Sequence, residues 1–183
     1  MPEAVPVDTL IEYNRIIDPS LGVFTTGDYT RISENRITEG QGEAPIGIRA
    51  GFPGGRTPVG TQILGNSVEH FTIGIDVLAE DALVAYNHVC NNHRFGIWVE
   101  RDNNVIEANE VTDTVGHEDT SGLAVFAKGN LIIRNSLKGN RPFDLVVQNP
   151  TENDLVENRC KRSCPPNLCR GWHGDKHRHG GRG

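Results

Sequence analysis

Little in this sequence suits a thick globular core. Aromatic residues make up 6% and apolar residues 36% of the 183 positions, which excludes an aromatic-rich interior. No run of 18 apolar residues occurs, so nothing reads as a membrane span. The N-terminal "MPEAVPVD" has neither a basic n-region nor an apolar h-region, and predicts no signal peptide. With a net charge of -6 the chain lacks the basic footprint of a nucleic-acid binder. Three-four apolar spacing is sustained nowhere, so no long amphipathic helix is predicted. Nucleotide P-loops, G-x-S-x-G elbows and H-E-x-x-H helices are missing as well. Cysteine is sparse at four residues, three of them (Cys160, Cys164 and Cys169) close together and Cys90 apart.

What the chain does have is a repeated sentence. Asn14, Asn35, Asn66, Asn87, Asn109, Asn135 and Asn158 each follow, by three positions, Ile11, Ile32, Ile63, Val84, Ile106, Ile132 or Leu155. Two positions after each comes Ile16, Ile37, Val68, Val89, Val111, Leu137 or Cys160. A second marker runs in step as "GIRA" at 47, "GIDV" at 74, "GIWV" at 96, "GLAV" at 122 and "DLVV" at 144. The period is about 22 residues, and within it the apolar residues recur every second position, as in Ile73-Ile75-Val77 and Phe95-Ile97-Val99. Units this small cannot bury a face alone, so successive coils must stack at about 4.8 Å. Ile106 then lies on Val84 and under Ile132, and the asparagines form a turn ladder in which side-chain amides bond the next coil. The predicted fold is all-β, a right-handed parallel β-helix of about six coils over residues 9–160. It is preceded by a lead-in (1–8) and followed by a Cys/Pro cap (161–169) and a His/Gly-rich tail (170–183).

This pattern, I-x-x-N-x-I followed by G-I-x-V, resembles the parallel β-helix repeats of the family that includes pectate lyase-like and NosD-type periplasmic proteins. The resemblance implies a secreted or periplasmic protein that handles polysaccharide. It does not carry over a catalytic set. Polygalacturonase-like relatives use paired aspartates and Gly-His-Gly, where this chain has "GHE". Epimerase-like relatives use Asp-Pro-His followed by an acid, of which "HED" is only a compositional echo. Calcium-dependent lyases place several acids and an arginine on one strand, where Arg49 and Asp76 are too few. No cofactor is assigned, although the resemblance admits calcium or copper.

Departures from the period mark candidate sites, because solenoid insertions become loops on the binding face. "TEGQGEAP" (38–45) and "TDTVGHEDTS" (112–121) enter at the same strand position, so both are expected at one edge, three coils or roughly 14 Å apart. "GFPGGRTP" (51–58) lengthens the second unit further. Between the two edge loops, Asp76 and Trp98 are expected to face outward, with Arg49 below and Glu100 one pleat along. Together they make a trough where a sugar ring could stack on Trp98 and hydrogen-bond the charged residues. Alternatively Arg49 and Asp76 are an ordinary surface ion pair.

His117, Glu118 and Asp119 on the 112–121 loop are the candidate catalytic acid–base residues, and a solvated acidic loop is the alternative. Glu69, His70, His88, His93 and Arg94 form a second titratable cluster, with exposed turn residues as the competing reading. No metal ligands are assigned. His173, His177 and His179 in the tail offer loose metal binding. Two of Cys160, Cys164 and Cys169 are expected to form a disulfide that holds the cap. A metal would use the same thiols, but C-x3-C-x4-C lacks paired C-x2-C knuckles. The expected function is non-catalytic polysaccharide or oligosaccharide binding. The alternatives are a small lyase, epimerase or hydrolase for uronic-acid polymers, and an assembly module that forms homo-oligomers through an uncapped N-terminal end.

Overall fold

The structure, a computed structural model, describes residues 8–170. Residues 1–7, which make up most of the lead-in, and the tail histidines His173, His177 and His179 lie outside the described residues.

The short apolar segments form strands that wind in coils of three. The first coil holds β1 (Leu10–Glu12), β2 (Arg15–Ile17) and β3 (Leu21–Thr25), and the second β4 (Arg31–Ser33), β5 (Arg36–Thr38) and β6 (Ile46–Ala50). The third holds β7 (Gln62–Leu64), β8 (Ser67–Glu69) and β9 (Ile73–Val77), and the fourth β10 (Leu83–Ala85), β11 (His88–Cys90) and β12 (Phe95–Val99). The fifth holds β13 (Val105–Glu107), β14 (Glu110–Thr112) and β15 (Ser121–Val125), and the sixth β16 (Leu131–Ile133), β17 (Ser136–Lys138) and β18 (Phe143–Val147). A seventh, incomplete coil holds β19 (Asp154–Val156) and β20 (Ser163–Cys164). The solenoid is therefore about one coil longer than the six expected, because "RCKRSCPP" pairs as a strand on β18 as well as closing the end.

Like strands stack in three parallel sheets, ordered β1-β4-β7-β10-β13-β16-β19, β2-β5-β8-β11-β14-β17 and β3-β6-β9-β12-β15-β18-β20. The register is the one the repeat implies. Ile32, Ile63, Val84, Ile106 and Ile132 stack in the first sheet and Ile37, Val68, Val89, Val111 and Leu137 in the second, all fully buried. Each such side chain contributes roughly 1.5–3 kcal/mol over its exposed state. The third sheet adds Ile48, Ile75, Ile97, Leu123 and Leu145 to the same core.

The asparagine ladder is complete. The Oδ1 of Asn109 accepts both the backbone N–H of Asn87 (3.0 Å) and its Nδ2 (2.9 Å), and the same pair of bonds links every step from Asn14 to Asn158. Each inner Nδ2 also reaches back to a carbonyl of the previous coil, as Asn109 does to Val84 O at 2.9 Å. Tyr13, Glu34, Gly65, Tyr86, Ala108, Arg134 and Glu157, the residues immediately before the asparagines, all sit at positive φ between 49° and 63°. That left-handed residue makes the corner, and the amide that follows fills the hydrogen-bonding gap it leaves. A shorter ladder, not expected, runs through Asn104, Asn130 and Asn153 at another corner.

One expectation fails. Ile73 and Phe95 do not share the interior with Ile75 and Ile97; they belong to a separate cluster with Ile46 and Ala124, against which Trp98 packs. The glycine between is the cause. A side chain at Gly74 would run into Val89 and the Gly96 carbonyl, and one at Gly96 into Val111 and the Gly122 carbonyl. Positions 74 and 75 therefore both turn inward, and the residue before the glycine is left outside. The exception "DLVV" is explained by the same geometry. Asp144 stands where no further full coil crowds it, and its carboxylate accepts the backbone N–H groups of Asn140 (3.1 Å), Lys161 (3.0 Å) and Arg162 (3.1 Å), which anchors the cap.

Of the three clustered cysteines, Cys160 and Cys169 form the disulfide; Cys164 is exposed and free, and Cys90 is buried and free. Burial beside Glu69 pushes the Cys90 thiol up to about 11, so it is inert at neutral pH.

Asn109→Ala leaves the Asn87 backbone N–H without its acceptor inside the core, and is expected to cost about 2 kcal/mol. Asn14→Ala, at the partly solvated end, should cost less than about 1 kcal/mol. Denaturant midpoints of the two variants check the ladder, and equal losses would contradict it.

Candidate functional site

Because β3, β6, β9, β12, β15, β18 and β20 are stacked without slippage, their outward residues fall in two rows. One is Leu21, Ile46, Ile73, Phe95, Ser121 and Phe143; the other is Phe24, Arg49, Asp76, Trp98, Ala124, Val146 and Cys164. Loops 38–45 and 112–121 both lead into this sheet from the second one and share an edge, while 51–58 leaves from the opposite edge. There Phe52 packs edge-on to Phe24 at 6.4 Å, and Arg56 grips Asp28 through two bonds of 2.8 and 2.5 Å.

Phe95, Trp98 and Phe126 form an aromatic cluster on this face. The Phe95–Trp98 centroids are 4.9 Å apart, and Phe126 stands edge-on to both at 6.2 and 6.3 Å. Phe95 is buried beneath, whereas Trp98 is half-buried and Phe126 is 39% exposed. Trp98 Nε1 is enclosed and has no acceptor, so the accessible part of the indole is carbon. Arg94 lies over both rings, 5.1 Å from the Phe95 centroid and 5.8 Å from that of Trp98. Asp119 holds it there through Nε (2.9 Å) and Nη2 (2.8 Å). The edge loop is thus tied to the aromatic floor by a charge that also stacks on it.

On the other side of Trp98 stand Arg49, Asp76 and Glu100. Asp76 is outward in register yet 0% exposed, which corrects the expectation that it offers a carboxylate to solvent. Its Oδ2 takes both Arg49 Nε (2.8 Å) and Nη2 (2.7 Å), while Oδ1 is buried with no hydrogen-bond partner. Nor is the pair a solvated one. Burial raises the Asp76 carboxyl despite Arg49, and burial, then the Asp76 charge, raises Glu100.

The expected site residues therefore divide. Arg49, Asp76, Trp98 and Glu100 come together, and Asp119 joins them through Arg94. His117 and Glu118 are exposed on the loop and do not. The second cluster disperses: His88 pairs with Glu110 at 3.3 Å, His70 lies 3.7 Å from Glu39, Glu69 faces Arg36 and Cys90, and Arg94 leaves for the trough. Among the described residues no three His, Cys, Asp or Glu side chains are arranged to hold a metal, and no helix is long and apolar enough to cross a membrane. Phe95, Phe126 and Arg94 are the members that sequence reading did not place here. The glycine that follows Phe95 is the signal that could have found it.

Three parallel sheets wound from one chain, an aliphatic interior and a continuous amide ladder define a parallel β-solenoid. The chain belongs to the right-handed beta helix family, whose description matches residues 6–160. No curated protein matches it, and no solved structure does.

Folding favours the protonated forms of Asp76 and Glu100. Their stabilisation is full below the ordinary carboxylate range and is lost as pH rises through their raised values. Asp28 acts oppositely: its bond to Arg56 and the Val59 N–H lower it, so its contribution holds at neutral pH and fades in acid. The Asp76 and Glu100 carboxyls should therefore make the melting temperature rise as the pH falls from above their raised values toward the ordinary carboxylate range. Glu100→Gln, which removes one of the two raised carboxyls and its charge beside Asp76, should flatten that slope and melt higher at the alkaline end. An unchanged slope would show that Glu100 contributes none of it.

Proposed function

We propose that the protein binds polysaccharide or oligosaccharide, without cleaving it, on the outer face of the third sheet. The observation that carries this reading is the partly exposed carbon surface of Trp98, set among Arg94, Asp119, Arg49 and Glu100. A sugar presents C–H groups on its ring faces and hydroxyls at its rim, and binding sites of this kind combine apolar surface with a few oriented polar groups. A non-catalytic role is favoured because the buried acid, Asp76, is committed to Arg49, and His117 and Glu118 do not converge on the aromatic floor. The Cys160–Cys169 disulfide is in keeping with a secreted or periplasmic setting.

Retardation in affinity gels containing acidic or neutral polysaccharides tests the reading directly. One class of glycan should retard the wild type. Trp98→Ala should weaken that interaction about thirtyfold, the loss typical of an aromatic anchor, while Trp98→Phe keeps part of it. A correctly folded Trp98→Ala protein that migrates like the wild type in every gel would overturn the proposal.

A further inference from the structure

The row that carries Trp98 does not end there. Past Ala124 it continues through Val146 to Cys164, where a groove of about 350 Å³ opens, lined by Phe126, Val146, Val147, Gln148, Cys164 and Pro165. Phe126 is the shared wall: it meets the Phe95 and Trp98 rings edge-on and also lines the groove. The two ends differ in chemistry. Around Trp98 stand Arg94, Asp119, Arg49 and Glu100, whereas the groove lining includes no charged side chain. Trp98 and Cys164 are three strand steps apart, about 14 Å, the span of a short oligosaccharide rather than of one sugar ring.

We infer that the groove is an apolar subsite continuous with the Trp98 surface, and that it takes an acyl or alkyl substituent of a saccharide held on that surface. The inference rests on the saccharide-binding reading. A lining of six residues is far below the roughly 20–30 per side that a stable protein interface uses, while the volume is within the range of small-molecule sites. A ligand spanning both ends is amphiphilic, polar over Trp98 and apolar beyond Phe126.

Cys164 supplies the readout. It is the exposed free thiol of the described chain and lines the groove, whereas Cys90 is buried and Cys160 is bonded to Cys169. Alkylation of Cys164 in the full, unreduced chain by iodoacetamide is followed by peptide mass spectrometry. The probes are octyl β-glucoside below its micelle concentration, methyl β-glucoside and 1-octanol. Octyl β-glucoside should slow alkylation about tenfold once it stands at roughly ten times its Kd, and methyl β-glucoside should leave the rate unchanged. Protection should be lost in Val146→Asp, or in the milder Val146→Thr if that variant does not fold, and weakened in Trp98→Ala. Equal rates with all probes would overturn the inference. So would protection by 1-octanol as strong as by the glucoside, or protection untouched by the Val146 substitutions. Gel retardation of the same protein separates the two proposals: retardation without Cys164 protection removes the groove alone, and absence of both removes the trough as well.

Discussion

Everything in this molecule depends on coils stacking in strict register. A parallel strand pair offers evenly spaced hydrogen bonds but nothing that forbids slippage by two residues. The asparagine ladder supplies that restriction. Each Oδ1 accepts two donors from the preceding coil, so a displaced coil would strand buried amide groups as well as misalign the aliphatic rows. The ladder and the core thus specify the same register by different physics, one directional and one not. Left-handed residues at the corners complete the arrangement by turning the chain without breaking the stack.

The same register makes a surface. Once coils cannot slide, a residue's position in its repeat decides its neighbours above and below, and side chains distant in sequence become an ordered row. Arg49, Asp76 and Trp98 come from successive coils and meet only because of this. The inner glycines matter in a second way. Being unable to hold a side chain, they push the preceding residue outward, and Phe95 becomes the base of an aromatic cluster rather than part of the core. Asp76 and Glu100 then lie in a setting dry enough to raise both carboxyls, with Arg49 paired to Asp76.

The ends of the ladder differ in construction. At the C-terminal end Asp144 takes the glycine position, gathers three backbone donors, and hands the stack to a disulfide-bound cap that itself contributes a strand. The residue that breaks the repeat is the one that ends it, and the same segment places Cys164 and Pro165 at the head of the outer row.

The period of the asparagines and aliphatic residues determined the fold, the stacking of like residues and the edge from which both long loops leave, because a solenoid converts sequence period directly into space. It also named Arg49, Asp76, Trp98 and Glu100 as neighbours. Tertiary structure decided what those neighbours are. Whether Asp76 faces water or is sealed under Arg49, and whether Arg94 belongs with the histidines or over Trp98, depends on side-chain packing between coils, which a repeat pattern does not encode. The inward glycines were visible as letters, but that they reverse the facing of Ile73 and Phe95 follows only from the closeness of Val89 and Val111. Cysteine pairing likewise awaited geometry: three thiols within ten residues allow three disulfides, and the turn of the final coil selects Cys160 with Cys169.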